Sequence, residues 1–214
     1  MLSGSAALGD YVEGVSDLDL VVVVPEPIED PERFAAPLRH AELPCPARGL
    51  ELVAFTAERA AAPSRSAGPE LALETGAEGD RLLGGPGEEN GHLVGLAIAR
   101  ECGVAVAGPP PRELIGEPPR ADVLGALAAG IRRSLEEQPE SASTVLAACR
   151  AAHFALHGDW IGKTAAGEWA VHTSSDPRLA EAALAARRGE PRELRADRVS
   201  LLAEEALGVV EDAR

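Results

Sequence analysis

The feature that most constrains this chain is a change of pattern around the GEPP segment at 116–119. Before it, short aliphatic and β-branched runs alternate with Pro/Gly-rich turns; after it the chain is almost entirely Ala, Leu, Arg and Glu at helical spacing. A period near 2 and a period of 3.6 need different elements to bury their apolar faces. The chain is therefore expected to be α+β, with a mixed-sheet domain over 1–117 and an all-helical bundle over 118–214. At 214 residues it is long enough to bury a sizeable core.

Within the first part, DLDLVVVV (17–24) and LELVAFT (50–56) read as buried strands, bounded by Pro25 and by the turn-rich 44–49. ELALET (70–75) is a third strand candidate, and 31–41 and 92–102 have helical character. GVAVAGPPP (103–111) reads as a short strand stopped by prolines. The glycines of 84–87 follow no convincing strand and precede Glu88 and Glu89, so they form a loop and not a phosphate cradle. In the second part, Val123, Leu124, Leu127, Ile131 and Leu135 recur at helical spacing, as do Val145, Cys149, Ala152 and Leu156. Ser175-Asp176-Pro177 is a helix start, and 195–212 carries Val199, Leu202, Ala206, Leu207 and Val210. About five helices are expected.

Charge and composition exclude several classes of function. The net charge of -15 and only six aromatic residues (Trp 2, Tyr 1, Phe 3) remove the cationic footprint and stacking platforms of nucleic-acid binding. The longest aliphatic run, 20–24, is far short of the roughly 20 residues that span a bilayer. MLSGSAALGDYVEG has neither the basic patch nor the apolar stretch of a secretory signal, so a cytoplasmic, monomeric protein is expected. Cys45, Cys102 and Cys149 are too scattered for a disulfide framework or zinc site and are expected to be inert. His153 and His157 lack the partners of a metal-binding helix and are assigned to packing or surface roles. Of 20 basic residues only Lys163 is lysine, and a compact ammonium does different chemistry from a planar guanidinium.

The strongest motif is GSAALGDYVEGVSDLDLVVV, in which Gly4-Ser5 precedes Asp17-x-Asp19 by a loop of eleven residues. Alternate residues of a strand share a face, so both carboxylates would project together, about 6.6 Å apart along the backbone. Two hard anionic ligands so placed can hold magnesium bridged to triphosphate oxygens. Gly4 lets backbone approach a phosphate, Ser5 offers it a hydroxyl and an amide, and Ser16 is placed to add another hydroxyl.

Gly-Ser, a loop, then Asp-hydrophobic-Asp-hydrophobic resembles the polymerase beta-like nucleotidyltransferases. That resemblance implies a third carboxylate from a neighbouring strand, matched by Glu51 in GLELVAF, with Leu50 and Leu52 on the opposite face. Among subfamilies the chain is most similar to the streptomycin and spectinomycin adenylyltransferases, whose helical domain follows the sheet domain. Two further stretches carry the likeness, IARECGVAVAGPPPRELIGEPPR (98–120) and VLAACRAAHFALHGDWIGKTAAGEWA (145–170). In the family the second supplies an arginine and, thirteen residues on, a lysine to the nucleotide phosphates; Arg150 and Lys163 match. Glu140 stands where the family has an aspartate that meets the antibiotic. The tryptophans of streptomycin-binding members are absent from 71–75 and 131–135, and the family's N-terminal helix is expected to be missing, since only Met1-Leu2-Ser3 precede Gly4.

The resemblance implies two magnesium ions on Asp17 and Asp19, ATP as co-substrate, and Glu51 as base. It implies transfer of AMP to a hydroxyl of a small cationic acceptor, an aminoglycoside, and hence antibiotic resistance. The alternatives are a nucleotidyltransferase acting on protein or RNA, and a non-catalytic relative that binds nucleotide or a partner.

Overall fold

A computed structural model describes residues 1–45, 47–77, 79–83 and 91–214. The chain divides into two compact units, Met1–Val123 and Leu124–Arg214. The expected loop at 84–87 lies outside the described residues.

The first unit contains, in order, α1 (Gly4–Ala7), β1 (Leu18–Val24), α2 (Pro31–Ala35) continued by a 3-10 turn (Ala36–Leu38), β2 (Gly49–Thr56), α3 (Ala57–Ala61), β3 (Leu71–Gly76), β4 (Arg81–Leu83), α4 (Leu93–Cys102) and α5 (Pro111–Leu114). The described strands form one sheet in the order β1-β2-β3-β4, β1 and β2 parallel and the other pairs antiparallel. This is the mixed sheet expected from the sequence. Both faces are apolar because each is covered. Leu50, Leu52, Ala54, Leu71 and Leu73 pack with Ala35 and Phe34 of α2, while Val21 and Phe55 pack with Ala60, Leu96, Ala99 and Ile115 on the other side. Such double cover explains why β1 reads as a continuous run of valines.

Three expectations need correction. The helical stretch at 31–41 is shorter, α2 giving way to the 3-10 turn at Ala36 and extended backbone at Arg39. Residues 103–111 form no strand, only an isolated bridge of Val104 to Leu2. Val106 is two-thirds exposed, and Pro109, Pro110 and Pro111 have no N–H for a ladder. Finally, α1, α3 and β4 appear in segments where no element was expected.

The helices of the second part are α6 (Arg120–Glu137), α7 (Ala142–His157), α8 (Lys163–Thr173), α9 (Pro177–Arg187) and α10 (Ala196–Asp212). Within the second unit, Val145, Leu146, Leu179, Val199 and Val210 are fully buried. The turns are specified locally. Ser141 caps α7 by accepting the Ser143 amide, and Gly158 ends it at φ 83. Asp176 caps α9 by accepting the Leu179 amide and also takes a fork from Arg198 of α10, at 2.8 and 2.5 Å. Among the described residues no helix is long and apolar enough to cross a membrane.

Candidate active site

The sheet register sets the geometry of the site. Asp19 of β1 lies opposite Glu51 of β2, Glu51 opposite Glu74 of β3, and Glu74 opposite Arg81 of β4. Directly paired residues share a face, so three carboxylates form one row across the sheet on the side that carries Val21, Val53 and Phe55. Glu51 is exposed, whereas its neighbours Leu50 and Leu52 are buried on the other face. Arg81 neutralises the far end of the row through a 2.5 Å ion pair with Glu74.

Asp17 stands one residue ahead of β1. It receives Arg48 through both oxygens, Nε to Oδ1 at 3.0 Å and Nη2 to Oδ2 at 2.5 Å. The backbone of Arg48 is fixed as well, its amide donating to the Ser16 carbonyl at 3.3 Å. Gly49 leaves room for the pair to sit there. A Cβ on Gly49 would lie 2.2 Å from the Thr75 carbonyl and 3.2 Å from Asp17 Oδ1.

The Gly-Ser turn is held from two sides. The Ser3 amide donates to the Asp19 carbonyl at 3.0 Å, and Ser3 Oγ donates to the Gly95 carbonyl of α4. Gly4 then adopts φ 53, and a Cβ there would fall 1.8 Å from Asp19 Oδ2. Only glycine tolerates both the left-handed backbone and that approach. The Ser5 Oγ is buried and has no hydrogen-bond partner among the described residues, which is costly unless something else takes the bond. The missing Cβ, the orphaned hydroxyl and the hard carboxylate donors fit a magnesium-bound phosphate. Ser16 is differently engaged: its Oγ accepts the Val12 amide at 3.0 Å and braces the loop ahead of Asp17.

In the second unit, Lys163 opens α8 and its Nζ donates to Ser143 Oγ of α7 at 2.7 Å. Arg150 follows Ser143 on α7 by seven residues, close to two helical turns, which sets both on one side of that helix. The buried Arg187 donates from Nε to Thr164 Oγ1 at 3.1 Å. The first turn of α8 carries no acidic residue, so its amides and Lys163 favour an anion together. Glu140 is elsewhere in this unit, on a cavity of about 430 Å³ shared with Arg192, Glu193, Leu194, Arg195, Ala196 and Asp197.

The discounted aromatic residues touch one another, with His153 half-buried and His157 exposed. His153 and His157 lie with ring centres 4.5 Å apart, both edged by Trp169, and Trp160 stacks on Phe154 at 4.0 Å. The three cysteines are free, and burial pushes the Cys149 thiol up to about 12. Sequence reasoning missed Arg48 as a partner of Asp17, a pairing that follows from the β1–β2 register and has no signal in the sequence.

Residues 1–58 match the family model described as a nucleotidyltransferase domain. That N-terminal stretch, which carries the Gly-Ser and Asp-x-Asp motif, is thus similar to a nucleotidyltransferase domain. The particular likeness is to spectinomycin adenyltransferase AAD(9) from Enterococcus faecialis, solved with ATP and spectinomycin. It has a TM-score of 0.74 at 19% identity, over 98% of this chain and 90% of that one. The chain therefore shares the fold of that spectinomycin adenyltransferase. No curated relative matches the chain in sequence.

Proposed function

We propose that this protein is a magnesium-dependent nucleotidyltransferase that transfers AMP from ATP to a hydroxyl of a small cationic molecule, an aminoglycoside, and so confers antibiotic resistance. One observation carries the proposal: Asp19 pairs in register with Glu51, while the glycine of the Gly-Ser turn is moulded onto the Asp19 carboxylate. A surface cluster of acids would not need that glycine.

Asp17 and Asp19 would hold two magnesium ions, which when bound neutralise charge on the triphosphate. The Ser5 hydroxyl would donate to a phosphate oxygen. Glu51 would accept the proton of the acceptor hydroxyl as its oxygen bonds to the α-phosphorus in line, and the bond to the departing pyrophosphate would break. Arg150 and Lys163 are assigned to nucleotide phosphates. Glu140 is assigned to the amino groups of the acceptor, and the net charge of -15 would favour encounter with a polycation. The protein is proposed to act as a cytoplasmic monomer.

The test is incubation of the purified protein with α-labelled ATP, magnesium and a panel of aminoglycosides. Label should pass to one class of acceptor with release of pyrophosphate, and Asp17→Asn and Asp19→Asn should each abolish transfer while the circular dichroism spectrum is kept. Full transfer by either variant would remove the metal assignment.

A further inference from the structure

Asp17 is proposed as a metal ligand, yet both of its oxygens are occupied by the guanidinium of Arg48. This is not a passing contact of two loose side chains. The Arg48 amide is anchored to the Ser16 carbonyl, the adjoining Gly49 is squeezed between Asp17 and the Thr75 carbonyl, and β1 and β2 are in register from the next residue on. Asp17 is the more enclosed partner, its side chain 18% exposed against 64% for Arg48. The arginine can therefore swing into solvent while the carboxylate stays.

We propose that Arg48 is a resident counter-ion of Asp17 that competes with divalent cations, so that a bare cation is kept off the site until it arrives with nucleotide. A cation that enters alone must displace a bidentate partner. A cation that arrives on a triphosphate brings further contacts, to Ser5 and the Gly4 turn among them, that offset the displacement. The structure thus orders loading, and Arg48 is a positioning residue acting through Asp17. This rests on Asp17 being a metal ligand.

Mn2+ alone, followed by electron paramagnetic resonance in the absence of nucleotide, tests it on wild type, Arg48→Gln, Arg48→Lys and Asp17→Asn. Arg48→Gln should bind Mn2+ about two- to fivefold more tightly, the range expected on losing a half-exposed ion pair. Arg48→Lys, a point charge without the fork, should fall between. Damage to the fold would weaken binding, so tightening cannot come from a merely structural role. Equal or weaker Mn2+ binding in Arg48→Gln, with Asp17→Asn weaker than wild type, would overturn the competition while leaving Asp17 a ligand. Equal binding in wild type, Arg48→Gln and Asp17→Asn would overturn the metal assignment itself.

Discussion

Glu51 is the residue on which the proposed chemistry turns. It is exposed, at the start of β2, and faces the same way as Asp19. Glu51→Gln keeps the shape and loses the proton acceptor. It should retain ATP binding and lose about 10²- to 10⁴-fold in turnover, the usual contribution of a general base. Calorimetric titration of magnesium and ATP beside the labelled assay checks this. Collapse of ATP affinity with turnover otherwise normal would make Glu51 a metal ligand instead. The alternation of β2 made this position legible in the sequence: a glutamate between buried leucines on a strand must face away from them. Asp19 was legible for the same reason. The pairing of Arg48 with Asp17 was not, because it depends on the parallel register of β1 and β2, and an arginine in a Pro/Gly turn carries no signal of its partner.

At the scale of elements, strength of pattern decided what could be foreseen. The runs in β1, β2 and β3 and the spacing in α4 and the later helices announced themselves. The three residues of β4 and the four of α1 could not, since each is fixed by neighbours, Glu74 and Leu73 in one case and β1 with α4 in the other. The crossing of α7, α8 and α9 offers a test of packing. A Cβ on Gly167 would lie 2.6 Å from Leu146 Cδ2 and 2.7 Å from Leu184 Cδ2. Gly208, exposed on α10, has nothing within 4 Å of its own. Gly208→Ala should therefore stabilise by about 0.5–1 kcal/mol through helix propensity. Gly167→Ala should destabilise by about 1 kcal/mol, overpacking outweighing the same gain. Opposite shifts in thermal melts are expected, and shifts of one sign would refute the packing account.

The α9–α10 junction adds a pH dependence. The Arg198 fork holds the Asp176 carboxyl below its ordinary value of 3.8. A carboxylate whose folded value is depressed stabilises the native state fully above 3.8, and that contribution fades as pH falls through the lower folded value. Asp176→Ala should cost roughly 1 kcal/mol near neutrality, by loss of the cap and the half-exposed pair. The gap from wild type should narrow below about pH 4. Urea denaturation at pH 7 and pH 3 reads both, and a gap unchanged at pH 3 would sink the ionic part.

For the molecule as a whole, the question is whether the helical unit serves the nucleotide. Lys163, the one lysine in the chain, sits at the start of α8 beside Ser143. If it binds a phosphate, Lys163→Ala should weaken ATP by roughly 1.5–3 kcal/mol, about ten- to a hundredfold. A surface lysine would change affinity not at all. Calorimetry on the two proteins separates these. A different consequence follows from the tie between Leu2 and Val104, whose amides and carbonyls exchange hydrogen bonds at 2.8 and 3.1 Å across about a hundred residues of chain. A ribosome adding about 5–20 residues each second needs roughly 5 to 20 s to travel from one to the other. Through that interval the newborn Gly4-Ser5 turn has no α4 to lean on and the outer edge of β1 is open. The turn proposed to bind phosphate is thus set in place only after α4 has followed it out of the ribosome.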